Sequence, residues 1–223
     1  MKDKNIRSAI ILCGGMSRRM GEDKGSMEID GKPMIIHVLE SLNSQIDEAI
    51  IVLNDSERIA KYMSLIQEYS NFDFNIKFVE DEIKNKGPLS GIMTGLKTIL
   101  SDYALVLPCD SPFISSNFIV FMFDTLNKLL ESNSDIEGIV PYHSSEINSS
   151  KAIVLRNSEP LHSIYKRETY SIIKNLLNSD EKQVKSFISI INSYFIPVDK
   201  KDNYSEIDEI NFKNINYKND FKN

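Results

Sequence analysis

Short apolar runs alternate with amphipathic stretches through the first half of the chain, and that alternation leaves few architectures open. Residues 8–12 (SAIIL) read as a buried strand that ends at Gly14-Gly15. From Pro33, apolar residues recur at Ile35, Val38, Leu39, Leu42 and Ile46, the spacing of one helical face. Proline sits in the first turn, where its missing N–H costs nothing. Residues 48–53 (EAIIVL) predict a second strand, and Ile59, Tyr62, Met63, Ile66 and Tyr69 mark a second helical stripe. A strand at 76–80, a helix at 89–100 opening at Gly87-Pro88 and a strand at 103–107 continue the rhythm. This βα alternation implies a Rossmann-like α/β fold: a mostly parallel central sheet with helices on both faces.

The second half is less regular. A helix is predicted over 117–130, with Phe118, Phe121, Met122, Leu126 and Leu129 on one stripe. Strands are expected at 138–140 and 152–155, separated by a polar loop at 142–150. Helical patterns follow at 160–177 and 184–191, then a strand at 194–196 and a polar segment at 199–209. With no repeat and no clear linker, residues 1–223 read as one domain, whose nucleotide-binding part spans about 1–115 and whose acceptor part spans about 116–223. The latter forms a small C-terminal lobe at the end of the sheet where open α/β folds place their ligands.

Composition narrows the function. At 41% hydrophobic and 26% charged the chain is an ordinary globular one, with no apolar run approaching the roughly 20 residues of a membrane span. The first residues lack the apolar core of a signal peptide, so a cytoplasmic location is expected. A net charge of -6 argues against a nucleic-acid binder, which needs a broad basic surface. The two cysteines, Cys13 and Cys109, show no metal-ligand spacing and read as small residues filling tight space, a redox role being the alternative.

The chemistry concentrates in three segments. Leu12-Cys13-Gly14-Gly15 begins a loop that continues to Lys24 through Arg18 and Arg19. Paired glycines at a strand end let backbone N–H groups approach an anion, and the basic side chains can neutralise a triphosphate. The spacing fits neither G-x-G-x-x-G nor the P-loop, because the glycines are adjacent and Lys24 is followed by Gly25. Asp110, in Pro108-Cys109-Asp110-Ser111-Pro112-Phe113, falls just past a strand, where one carboxylate can hold Mg²⁺ alongside phosphates and water. Asp81, followed by Gly87-Pro88-Leu89-Ser90-Gly91 at a helix start, can accept hydrogen bonds from a base or ribose; a purely structural carboxylate is the competing reading. His37, His143 and His162 are scattered without ligand spacing and read as structural or solvated.

In this order and at these separations, the segments resemble the MobA-like nucleotidyltransferase family, which completes the molybdenum cofactor, and especially its guanylyl-transferring members. That family opens with L-A-G-G-x-S-x-R-M-G-x-D-K, matched from Leu12 to Lys24 except at Cys13. It also carries G-P-L-x-G, found at Gly87 to Gly91, and P-C-D-x-P-F, found at Pro108 to Phe113. Pro160-Leu161 with Tyr165 is similar to its P-L-x-x-x-Y segment, and Val184 to Phe187 to its R-x-F-L region.

The resemblance implies transfer of GMP from GTP to the phosphate of molybdopterin, with pyrophosphate released. Leu12, Cys13 and Gly14 would then meet GTP through their backbone, with Gly15 and Gly87 beside them. Lys24 would bind phosphates, Asn54 and Asp81 the nucleoside, and Asp110 Mg²⁺. Arg18 or Arg19 would face the transition-state charge. Molybdoenzyme apoproteins or their chaperones are implied as downstream partners. The chain departs from the pattern at its end, where N-x-N-T-P-x-D appears as Asn214-Ile215-Asn216-Tyr217-Lys218-Asn219-Asp220, and before Ala152, where a His-Pro pair of some relatives is missing. A cytidylyltransferase of the same fold and a non-catalytic nucleotide-binding partner protein are the rival readings. Nothing in the spacing itself selects guanine.

Overall fold

In the computed structural model, residues 6–14, 23–69, 72–132, 134–143, 150–198, 209–213 and 215 are described. The chain runs β1 (Ser8–Leu12), β2 (Glu28–Ile29), β3 (Lys32–Pro33), α1 (Met34–Leu42), β4 (Glu48–Leu53), α2 (Ser56–Gln67), β5 (Asn75–Glu80), α3 (Pro88–Thr98) and β6 (Tyr103–Pro108). It continues through α4 (Ser116–Glu131), β7 (Gly138–Tyr142), α5 (Lys151–Arg156), β8 (Ile164–Lys166), α6 (Tyr170–Asn178), α7 (Val184–Ile190) and β9 (Ser193–Pro197). A seven-stranded sheet has the order β5-β4-β1-β6-β8-β7-β9, and β2 and β3 form a separate hairpin. The first four strands of that order pair in parallel, and β8 runs antiparallel to both neighbours.

Strand alternation divides the core between the two faces of the sheet. Ala9, Ile11, Ile51, Leu105 and Leu107 pack with α1, α2 and α4, against Ile35, Leu39, Tyr62, Phe118 and Met122. Ile10, Leu12, Ile50, Val52 and Val106 face the other way, onto Leu89, Ile92 and Leu96 of α3 and Ile173 and Phe187 of α6 and α7. With both faces covered, β1 and β4 are buried at every position, which is why they appear in the sequence as unbroken apolar runs. Each such Leu, Ile or Phe contributes roughly 1.5–3 kcal/mol by leaving water. The close approach of α3 to β1 depends on glycine: a Cβ on Gly95 would stand 2.5 Å from Ile10 Cγ2, and one on Gly91 3.0 Å from Leu12 Cδ2.

The sequence-based elements differ from the structure in three places. Residues 152–155, expected as a strand, lie in helix α5, where Ile153 and Val154 N–H groups bond back to the Ser150 carbonyl. An apolar run this short carries no period, so it cannot distinguish strand from helix. The expected helical stretch 160–177 begins instead with β8, whose Tyr165 pairs with Ala104 and Gly138. Tyr165 shares a core with Ile173 and Leu177 on one face of the sheet and so mimics helical spacing. Met63, counted on the apolar stripe of α2, is exposed, whereas Tyr62 and Ile66 are buried.

Candidate functional site

The site forms where β1, β4, β5 and β6 end side by side. Cys13 N–H bonds to the Val52 carbonyl at 2.9 Å, Cys109 N–H to the Leu12 carbonyl at 3.2 Å, and Asp81 N–H to the Leu53 carbonyl at 2.7 Å. These ladder bonds carry the chain straight from strand into Gly14, Asn54, Asp81 and Asp110, the residues singled out from sequence. Gly14 and Asn54 are close enough that a Cβ on Gly14 would stand 2.7 Å from Asn54 Oδ1. The absence of a side chain at Gly14 is therefore a steric requirement of this edge as well as an opening to an anion. Gly15, Arg18 and Arg19 lie outside the described residues.

Lys24 opens a short 3-10 turn, and its Nζ lies 3.0 Å from Asp110 Oδ2, both groups being partly exposed. What fixes this turn is Asp23, a residue the sequence reading passed over. Its carboxylate accepts a forked pair from Arg58, Nη2 to Oδ1 at 2.7 Å and Nε to Oδ2 at 3.2 Å, and a third bond from the Tyr62 hydroxyl at 2.7 Å. Arg58 and Tyr62 are four apart on α2 and so share a face. Gly25 packs into the same corner, where a Cβ would meet the Tyr62 hydroxyl and Cys109 Sγ. The signal was present in sequence: Asp23 stands next to Lys24, and an i,i+4 Arg-Tyr pair is a ready receptor for a carboxylate.

Asp81 is buried and largely engaged with α3. Its Oδ1 accepts from Ser90 Oγ at 2.5 Å, Thr94 Oγ1 at 3.1 Å and Ile83 N–H at 3.3 Å. Burial raises its carboxyl above the usual range, and these hydrogen bonds act against the rise. Gly87 precedes α3 with φ at 73°, a left-handed conformation that a β-carbon disfavours, and Pro88 follows at the first helical turn. Asp81 and Gly87 thus bracket one short loop between β5 and α3.

Cys13 and Cys109 are both buried, as their reading as space-fillers requires, and they end adjacent strands. Burial, and then contact with Cys109, pushes the Cys13 thiol well up, so it stays protonated and unreactive. His37 Nε2 is 3.0 Å from the Ile29 carbonyl, and His143 pairs with Glu159 at 3.3 Å. His162 is buried, so of the two readings, structural or solvated, it takes the structural one. The C-terminal segment also reaches this edge: Asn211 Oδ1 accepts from Ser115 N–H at 2.7 Å, and Ile215 N–H donates to the Asp110 carbonyl at 3.1 Å.

Asp110 is the residue available to a hard cation. Among the described residues no group of three His, Cys, Asp or Glu side chains could hold a metal alone. A single carboxylate beside a lysine nevertheless fits Mg²⁺, which commonly takes one or two carboxylates and completes its shell with phosphate oxygens and water. Among the described residues no helix is long and apolar enough to cross a membrane.

The model of the MobA-like NTP transferase domain matches residues 9–193. A probable molybdenum cofactor guanylyltransferase of Natranaerobius thermophilus is 33% identical, over 86% of this chain and 85% of its own length. The molybdenum cofactor guanylyltransferase of Syntrophotalea carbinolica is 30% identical over 96% of this chain and 89% of its own. Among solved structures, molybdopterin-guanine dinucleotide biosynthesis protein A of Archaeoglobus fulgidus has a TM-score of 0.71 at 23% identity, covering 96% of this chain and 95% of that one. The cytidylyl enzyme 4-diphosphocytidyl-2C-methyl-D-erythritol synthase of Anaerococcus prevotii has a TM-score of 0.63 at 15% identity, over 97% and 93% of the two chains. Both likenesses establish the fold.

Proposed function

Because the chain belongs to the MobA-like NTP transferase family, we infer that it is a nucleotidyltransferase that moves GMP from GTP to the phosphate of molybdopterin, forming the guanine dinucleotide cofactor and pyrophosphate. The observation that carries this reading is the meeting of Gly14, Lys24, Asn54, Asp81 and Asp110 at one strand edge, in a chain whose named guanylyltransferase relatives align over most of its length.

The reaction needs no covalent nucleophile. An oxygen of the acceptor phosphate bonds to the α-phosphorus of GTP and the bond to the pyrophosphate oxygen breaks, so the protein aligns two anions and meets the charge that moves to the leaving group. In this reading the backbone at Leu12, Cys13, Gly14 and Gly15 lies along the nucleotide, with Gly87 at the mouth. Lys24, with Arg18 and Arg19, offers positive charge to the phosphates. Asn54 and Asp81 receive the nucleoside. Asp110 would hold Mg²⁺, which would supply charge neutralisation at the phosphates. The Asp23 clamp keeps the Lys24 ammonium at the edge rather than in solvent. The same reading places the enzyme in the cytoplasm, with no nucleic-acid or membrane partner, handing its product to molybdoenzyme apoproteins or their chaperones.

Calorimetric titration with GTP, CTP, ATP and UTP, with Mg²⁺ and after its removal, tests the reading. Preference for GTP that depends on Mg²⁺, followed by pyrophosphate release only when molybdopterin is added, is the expected result. Preference for CTP would move the enzyme to the cytidylyl branch, and no triphosphate binding would make it a non-catalytic relative.

A further inference from the structure

His162 sits just ahead of β8 with a side chain only 1% exposed. Its Nε2 lies 3.0 Å from Ser111 Oγ, and Ser111 is itself fully buried and follows Asp110 directly. The other ring nitrogen, Nδ1, has no hydrogen-bond partner among the described residues; Glu159 Oε2 stands 3.8 Å away, beyond bonding reach. The ring packs edge-on to Phe212 at 5.3 Å between centroids, and Phe212 also meets His143 at 5.2 Å and Phe118 at 5.3 Å. A leucine would fill this apolar space without burying an unsatisfied nitrogen, so what distinguishes the imidazole is the one bond it makes.

The proton can be assigned from the surroundings. An N–H on Nδ1 points toward the Glu159 carboxylate, which leaves Nε2 as the acceptor of the Ser111 hydroxyl. The loop bearing Asp110 is thereby held on both flanks, in addition to the bond that the Asp110 carbonyl accepts from Ile215 N–H at 3.1 Å. On the strand side, Cys109 N–H bonds to the Leu12 carbonyl at 3.2 Å; on the far side, Ser111 bonds to His162. Asp110 lies between these anchors, with Lys24 across from its carboxylate.

We propose that His162 is a positioning residue for nucleotidyl transfer: by holding Ser111 it fixes the Asp110 carboxylate in the arrangement that receives the divalent cation. This inference rests on the assignment of Asp110 to the cation made above. A group that orients a metal ligand from behind changes metal affinity by about 10- to 100-fold when removed. The effect reaches the reaction through the loop, since His162 is buried behind it and bonds to Ser111.

The test uses the full chain with His162→Leu, His162→Gln and Ser111→Ala, measuring transfer from GTP to molybdopterin as Mg²⁺ is varied, and GTP binding without metal. His162→Leu should need about tenfold more Mg²⁺ for half-maximal rate, with metal-free GTP binding unchanged. Glutamine, whose amide can take the place of Nε2, should bring the requirement back to within about threefold of the parent. Ser111→Ala should raise the Mg²⁺ requirement at least as much as His162→Leu, and the double variant should be no worse than Ser111→Ala, because the bond between the two side chains is lost in each. Should His162→Leu fail to fold, an unchanged Mg²⁺ requirement in Ser111→Ala would sink the proposal. Equal shifts in the Leu and Gln variants, or a lowered melting temperature with no change in Mg²⁺ requirement, would show a purely structural histidine. If Asp110→Asn keeps the parent's Mg²⁺ dependence, the assignment of Asp110 fails and this inference fails with it; a normal loss in Asp110→Asn beside an unaffected His162→Leu overturns only the role of His162.

Discussion

Lys24 Nζ and Asp110 Oδ2 meet at 3.0 Å although the two residues are 86 positions apart in the chain. The contact joins the segment after β1 to the end of β6, so two opposite charges distant in sequence are held in one place by the sheet itself.

The two halves of this pair should fail differently. Lys24→Ala is expected to lower kcat by about 10²- to 10³-fold, the usual loss when a donor to transition-state charge is removed. Asp110→Asn should abolish Mg²⁺-dependent turnover while metal-free GTP binding persists. Steady-state kinetics over a range of Mg²⁺ concentrations, together with calorimetry, separates the two. Full activity in either variant would contradict the mechanism.

The Arg58 fork holds Asp23, the residue next to Lys24, in place. Both side chains are mostly shielded, with relative exposures of 18% and 13%, so loss of the fork leaves a poorly solvated carboxylate. Arg58→Leu should cost about 1–3 kcal/mol of stability. It should also lower kcat/KM for GTP by about tenfold or more, because small misplacements of a positioning group are amplified in rate. Arg58→Lys keeps the charge but not the fork and should fall between. Denaturant unfolding and kinetics on the same preparations check both effects.

Much of this was legible in the sequence because the determinants are local. The runs at β1, β4 and β6 announce buried parallel strands, and Gly14, Asn54, Asp81 and Asp110 each follow a strand end, so the sheet had only one place to put them. What escaped depends on partners distant in sequence. Asp23 gains its meaning only when α2 packs beside it. His162 and Ser111 are 51 residues apart and adjacent only because β8 inserts next to β6. β8 itself is too short to show a period, and α5 is read as a strand for the same reason. Asp81, read as a nucleoside contact or a structural carboxylate, devotes Oδ1 to Ser90, Thr94 and Ile83, partners that no pattern names.

Gly95 allows α3 to lie on β1, and its replacement should be felt at the site. In Gly95→Ala the new Cβ would meet three carbons of Ile10 at 2.5 to 2.9 Å, so β1 or α3 must move. Overpacking of this kind costs typically about 1–3 kcal/mol. Thermal unfolding should show the loss. Truncating the obstacle in Gly95→Ala/Ile10→Val should recover part of it, since two of the three clashing carbons belong to the ethyl arm that valine shortens.

The buried His162 also makes stability depend on pH, with a sign that can be worked out. Burial, offset in part by Glu159 and reinforced by His143, lowers its pKa from 6.5 to about 4. The unfolded chain therefore takes up this proton as pH falls below about 6.5, whereas the folded chain resists until about 4. Within that window the unfolded state binds more protons, so the contribution of His162 is complete above the window and is lost as pH falls through it. The loss amounts to at most about 3 kcal/mol. Asp81, whose carboxyl is raised, shifts stability the opposite way in acid and partly masks the slope in the parent protein. Comparison with His162→Leu removes that interference, because Asp81 is common to both. The leucine variant should gain relative to the parent as pH is lowered from about 7 to about 4. Urea unfolding at intervals across this range measures the difference directly; a constant difference would mean that the imidazole charges in the folded state as readily as in water.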